Sequence, residues 1–283
     1  MTARFLSDQE KLAAIEHVRV NQTGVENKTF KLYQVTELLF KDRETWPLFF
    51  ITLLAMIDNG AVSNFSSIII ATFGFDTGKT TIIQMPSGAV SIVCIIFATY
   101  LVSAIGHRSY MIAIITLPSI LGAGLLLGLY FPFSVDGSER ERSKLTVTMT
   151  GLDNSHKVGK LFGVYLLNAC PAMLPIIYSW NSANTSGYTK RTFRNALTLM
   201  AFCLGNLIGP QMFPAGDGPN YSQAKAGLIG TMSGVVVLAV LLRQITVWEN
   251  AKRDREGSEM ENIENLAFLD LTDIENRSFR YVY

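Results

Sequence analysis

The chain has 283 residues, of which 49% are hydrophobic and 17% charged, and its net charge is +1. Soluble chains of this size carry charge on about a quarter of their residues, so the balance excludes an ordinary water-soluble domain, and the near-neutral charge excludes a basic nucleic-acid binder. Charge is also crowded into the first 45 residues, a stretch near 134–160 and the tail after Arg243, which leaves long apolar runs between them.

Residues 1–45 are polar and mixed in charge. They lack the basic start and short apolar core of a signal peptide, so the segment is expected to stay in the cytoplasm while the first apolar run directs insertion. A bilayer-crossing helix needs about 20 mostly apolar residues. Six runs in 46–248 meet that test, over about 46–73, 82–105, 110–131, 161–180, 192–213 and 227–247. Residues 249–283 form a polar tail. The fold class expected is an all-α membrane protein.

Polar groups inside a bilayer are costly and mark pathways by default. The first run holds Asp58, Asn59, Gly60, Ser63 and Asn64. Asn59 and Ser63 are four apart and share a helix face, and Gly60 allows the helix to loosen beside them. Asp58 is the only acidic residue deep in any run, and an ionisable group at depth is what proton coupling requires, so it is the proton-coupling candidate. The second run opens with Gln84 and Ser87 around Pro86; the fourth contains Asn168 and the fifth Asn206. The substrate-binding candidates are therefore Asn59, Ser63, Asn64, Gln84, Asn168 and Asn206. Helix–helix hydrogen bonding is the alternative use for each.

Pairs of glycines four apart (Gly124 and Gly128, Gly205 and Gly209, Gly230 and Gly234) predict close helix crossings, because helix association in lipid depends on small residues. Pro86, Pro171, Pro175 and Pro210 free backbone carbonyls within or beside the runs. The loop at 134–160, with Glu139-Arg140-Glu141-Arg142, reads as a solvated connection or an inserted segment.

Orientation follows from lysine and arginine in the flanks. With the N-terminus in the cytoplasm, 17 of the 24 basic residues fall on that side, including Lys190, Arg191 and Arg194 between the fourth and fifth runs. Both ends are then cytoplasmic and the membrane is expected to be the plasma membrane. Cys94, Cys170 and Cys203 lie in apolar runs, as small hydrophobes do. His17, His107 and His156 lie outside the runs without metal-ligand spacing. No metal, cofactor or catalytic pattern is expected, and no enzyme activity. Of the Asn-X-Ser/Thr sequences, Asn220 is the one expected on the outer side.

Several motifs resemble a known family. The stretch Asn21-Gln-Thr-Gly-Val-Glu-Asn-Lys28 followed by Phe30-Lys-Leu-Tyr-Gln34 is similar to the central cytoplasmic loop of fungal allantoate-permease-like transporters, in the anion:cation symporter branch of the major facilitator superfamily. So are Asn59-Gly60 with Asn64-Phe-Ser-Ser-Ile-Ile-Ile70, Asn184-Thr-Ser-Gly-Tyr-Thr-Lys-Arg191 and Gly205-Asn-Leu-Ile-Gly-Pro-Gln211. The resemblance implies twelve spans in two six-helix halves around one site, with the present runs as the seventh to twelfth. It implies transport of a small organic anion or nitrogen-source solute such as allantoate, ureidosuccinate, nicotinate, pantothenate or a small peptide, commonly with protons. The partners it implies are that solute, the lipid bilayer, and a missing N-terminal half or another half-transporter. The second function class is a non-transporting membrane protein: a truncated paralogue or the pairing partner of another half.

Overall fold

The computed structural model describes residues 7, 9, 10, 29–71, 77–127, 157–214, 216, 221–256 and 270–283. Residues 1–6, 8 and 11–28, most of the 134–160 loop, and Asn220 lie outside the described residues.

From residue 29 on, the described residues form α1 Leu32–Phe40, α2 Thr45–Ala71, α3 Thr77–Ile105, α4 Arg108–Leu127, α5 Lys157–Leu167, α6 Met173–Asn184, α7 Tyr188–Ile208 and α8 Ser222–Glu256, in that order. Short 3-10 turns, Cys170–Ala172 and Gly209–Met212, follow α5 and α7. No strand occurs among the described residues. This is an all-α membrane protein. Among the described residues, five stretches have the length and apolar content to cross a bilayer: Thr45–Ile68, Gly78–Ile105, Arg108–Leu127, Leu161–Asn184 and Gln223–Glu256. The fifth predicted run corresponds to α7 and falls short of that apolar content, because Lys190, Arg191 and Arg194 stand in its first two turns.

The fourth pass is an interrupted helix. Asn168 and Ala169 leave the α5 ladder and bond only three residues back, to Tyr165 O at 3.2 Å and Leu166 O at 3.1 Å. Pro171, which has no N–H to give, then sits in the 3-10 turn before α6 restarts. Pro86 and Pro118 lie inside α3 and α4 without ending them.

The bundle is centred on α2, which packs along α7 and α8, while α4 packs along α5 and α8. The α2–α7 crossing is as close as two backbones allow. A Cβ on Gly205 would stand 2.5 Å from Met56 Cβ, and one on Gly209 would collide with the Ile57 carbonyl. The predicted pair Gly205 and Gly209 therefore makes a crossing. Of the pair in α8, Gly230 has nothing within 4 Å and only Gly234 meets a neighbour, Leu54. A further crossing joins Gly122 of α4 to Gly163 of α5, where a Cβ on Gly122 would stand 2.5 Å from Gly163 O.

One core cluster, around Leu48, Ile51, Met56, Met173, Ile177 and Trp180, fills the end of the bundle where α2 begins. A second, around Val62, Ile70, Leu126, Val164 and Phe213, fills the other end. Trp46 and Trp248, about half exposed, stand near the first end in the positions interfacial tryptophans take. The start of α2, the α3–α4 turn, the α6–α7 corner and the end of α8 all meet there. These are the segments whose basic residues the sequence places together on one side.

Candidate functional site

At mid-depth the polar residues of α2 point two ways. Asn59 is half-buried and its Nδ2 donates to Asn206 Oδ1 of α7 at 2.9 Å; Asn206 in turn donates to Phe202 O at 2.9 Å. Gly60 lies one step away, with Asn206 backbone against it. The amide pair thus sits at the close α2–α7 crossing, and the Asn59–Asn206 bond helps hold α2 to α7.

Asp58 is fully buried. Its neighbour is Cys170 in the break of the fourth pass, and the Cys170 thiol donates to Ala55 O at 3.1 Å. Neither carboxylate oxygen has a hydrogen-bond partner among the described residues. It is among the costliest polar placements in the bundle, and it is built around the unwound Cys170–Ala172 turn.

Ser63 and Asn64 continue α2 on its open side and are exposed. Asn64 donates back to Gly60 O at 2.7 Å, which leaves its own carbonyl oxygen on the open face. Gln84 of α3 donates to Ser66 Oγ of α2 at 2.7 Å. Ser87 donates to Gln84 O at 2.6 Å, and Ser91 to the freed Asn168 carbonyl at 2.7 Å. Asn168 itself donates back to Val164 O, and Tyr165 of α5 donates to Ile83 O at 2.5 Å. Gln84, Ser87, Ser91 and Asn168 therefore form one polar seam between α3 and the interrupted pass. Of the seven sequence candidates, Asn59 and Asn206 pair with each other, Gln84 and Asn168 lie on the seam, Ser63 and Asn64 face outward, and Asp58 is sealed behind them.

A cavity of about 380 Å³ lies between α3, α4 and α6, lined by Thr99, Ser103, Arg108 and Ser179 among others. Among the described residues, no acidic one lines it. Arg108 Nε donates to Ser179 Oγ at 3.1 Å.

The end of the bundle holds a charge cluster that sequence reasoning missed. Lys190 and Arg194, read as loop-flanking charges, are buried. Lys190 Nζ reaches Asp273 at 2.8 Å, Glu37 at 3.2 Å and Asp42 at 3.3 Å. Arg194 lies 3.5 Å from Glu44 and 3.7 Å from Asp42. Glu44 also accepts from Trp180 Nε1 at 3.1 Å, Asn184 Nδ2 at 3.4 Å and Thr246 Oγ1 at 3.0 Å. Burial pushes its carboxyl up to about 7 against the pull of Arg194, with Asp42 adding to the rise. Asp42 goes the other way: burial raises it, but Arg194 and Lys190 together with the Glu44 N–H hold it below its ordinary value. The spacing of Lys190 and Arg194, four apart on one helix face, was the available signal.

No family model matches the chain, and no solved structure gives a significant match. Curated proteins do. The chain is 41% identical over 281 residues to the thiamine pathway transporter THI73 of Saccharomyces cerevisiae, covering 99% of this chain and 49% of that protein. It is 34% identical over 284 residues to the allantoate permease of the same yeast, covering 99% and 49%. It is 31% identical over 287 residues to the MFS-type transporter cnsL of Penicillium expansum, covering 99% and 53%. The chain spans about half the length of these relatives. Along nearly its whole length the chain is thus homologous to fungal transporters of the major facilitator superfamily, of whose fold it makes up one half.

Proposed function

We propose that this chain forms the second half, spans seven to twelve, of a secondary transporter for a small organic anion of the allantoate class, coupled to protons. The observation that carries the reading is the match along 99% of the chain to proteins named as transporters. The seam supports it: an unwound turn at Cys170–Ala172 beside Asp58, and amide groups at Asn64, Gln84 and Asn168, are what transporters place against a solute. Arg108, lining a cavity with no carboxylate among the described residues, supports an anionic solute. Both ends of the chain face the cytoplasm, by the lysine and arginine bias.

The solute wall is Ser63, Asn64, Gln84 and Asn168, on or beside the open face; Asn59 and Asn206 set the α2–α7 distance behind it. Asp58 is the proton-coupling group. The other wall comes from a partner half. The test is solute uptake by the two-half protein carrying single changes. Asn59→Ala and Asn64→Ala should lower uptake severalfold while Asn220→Ala leaves it unchanged, and Asp58→Asn should abolish its dependence on the proton gradient. Equal, negligible effects of all four would remove α2 from the path.

A further inference from the structure

Residues 270–283 come back to the bundle after α8. Two asparagines from different helices each hold one of its residues by both ends of the side-chain amide. Asn184, at the end of α6, accepts from Val282 N–H and donates to Val282 O, both at 2.8 Å. Asn250 of α8 accepts from Tyr281 N–H at 3.0 Å and donates to Tyr281 O at 2.8 Å. Successive residues of an extended chain direct their main-chain groups to opposite sides, so the two helices grip the segment from its two flanks. The next carbonyl, of Tyr283, accepts from the Arg108 N–H at the start of α4 at 2.6 Å. Three consecutive residues thus tie together α8, α6 and α4, and these helix ends cannot separate without breaking a clamp.

The side chains add selectivity. The Tyr281 hydroxyl donates to Asp273 Oδ2 at 2.7 Å and accepts from Arg253 at 2.7 Å, with the Arg253 guanidinium 4.4 Å over the ring. Upstream, Asp270 accepts from the Tyr188 N–H at 2.8 Å, and Ser186 of the α6–α7 corner donates to Leu271 O at 2.7 Å. Asp273 is one of three carboxylates on Lys190; Glu37 and Asp42, from other segments, supply the rest. Departure of the segment therefore removes one partner of Lys190 and keeps two, so the buried cation is not stranded when the segment leaves.

We propose that residues 270–283 are an intramolecular latch, and that the α6–α7 corner with the Asn250 turn of α8 is a peptide-binding site occupied in cis, whose seating locks the ends of α4, α6, α7 and α8 into one unit and whose release lets them move. It assigns a role to the Asn184–Arg191 motif, which the solute wall does not use.

Hydrogen exchange of the full chain in detergent tests this. The Tyr281 and Val282 amides should be protected. Asn250→Ala and Asn184→Ala should each speed exchange in the segment roughly tenfold, as loss of one clamp implies. The double variant should expose residues 270–283 while the amides of α2 and α7 stay protected. A synthetic 270–283 peptide should bind saturably to a chain ending at residue 269, and Asp273→Asn with Tyr281→Phe in that peptide should weaken binding more than tenfold. Unprotected Tyr281 and Val282 in the unaltered chain would overturn the proposal. So would a double variant that loses protection uniformly, which would make the segment a fixed part of the core.

Discussion

Lys190 has no exposed side-chain surface and is held by carboxylates from α1, the turn before α2 and the 270–283 segment. Removing one partner of a buried ion pair is far costlier than the pair is stabilising. Lys190→Met should therefore destabilise the protein by about 3–5 kcal/mol in thermal unfolding, and adding Asp273→Asn should recover part of that loss. Glu44 sets a pH dependence at the same place. Its folded-state carboxyl is raised to about 7 from an ordinary 4.5, so between those values the folded protein keeps a proton that the unfolded chain releases. Stability is then greatest below about pH 4.5 for this group, falls as pH rises to 7, and is flat above. The change is on the order of 3 kcal/mol. Unfolding midpoints at pH 5.5 and 8 should differ in the native chain, and Glu44→Gln should remove most of the difference. Neither feature was legible beforehand. In the sequence Lys190 reads as a basic charge flanking an apolar run, but its partners come from positions 37, 42 and 273, and hydropathy carries no information about which distant segments meet.

At the scale of elements, each of the six apolar runs overlaps a helix, and five of the six overlap a stretch long and apolar enough to cross a bilayer. The helices extend beyond the apolar runs: α3 begins at Thr77 and α8 continues to Glu256. Polar flanks continue the hydrogen-bond ladder without any hydropathy signal. The break at Cys170–Ala172 was marked in the sequence by Pro171, yet Asp58 facing it was not, since that depends on how α2 is rotated. Glycine spacing gave two classes of position that look alike in sequence and differ in space. Gly209→Ala should destabilise the α2–α7 crossing by about 1–3 kcal/mol, because its Cβ meets α2 backbone that cannot give way. Gly230→Ala, with open space around it, should be neutral or slightly stabilising. Equal effects at the two sites in thermal unfolding would mean the crossing is not a tight contact.

At the scale of the molecule, α3 leaves much apolar surface uncovered, with Ile92, Val93, Ile96, Phe97 and Tyr100 all at least 60% exposed. The open face of α2, with Ser63 and Asn64, is uncovered as well. Lipid satisfies the first kind of surface; the second, being polar, calls for water or a second set of helices. That difference underlies the proposal of a two-walled path with one wall here. Uptake of labelled allantoate in cells lacking their own allantoate permease tests it most directly, comparing this chain alone with the same chain joined to the first half of that permease. A two-walled path predicts no uptake by the chain alone and saturable uptake by the joined protein. Saturable uptake by the 283-residue chain alone, or none by the joined protein while it reaches the membrane folded, would contradict it.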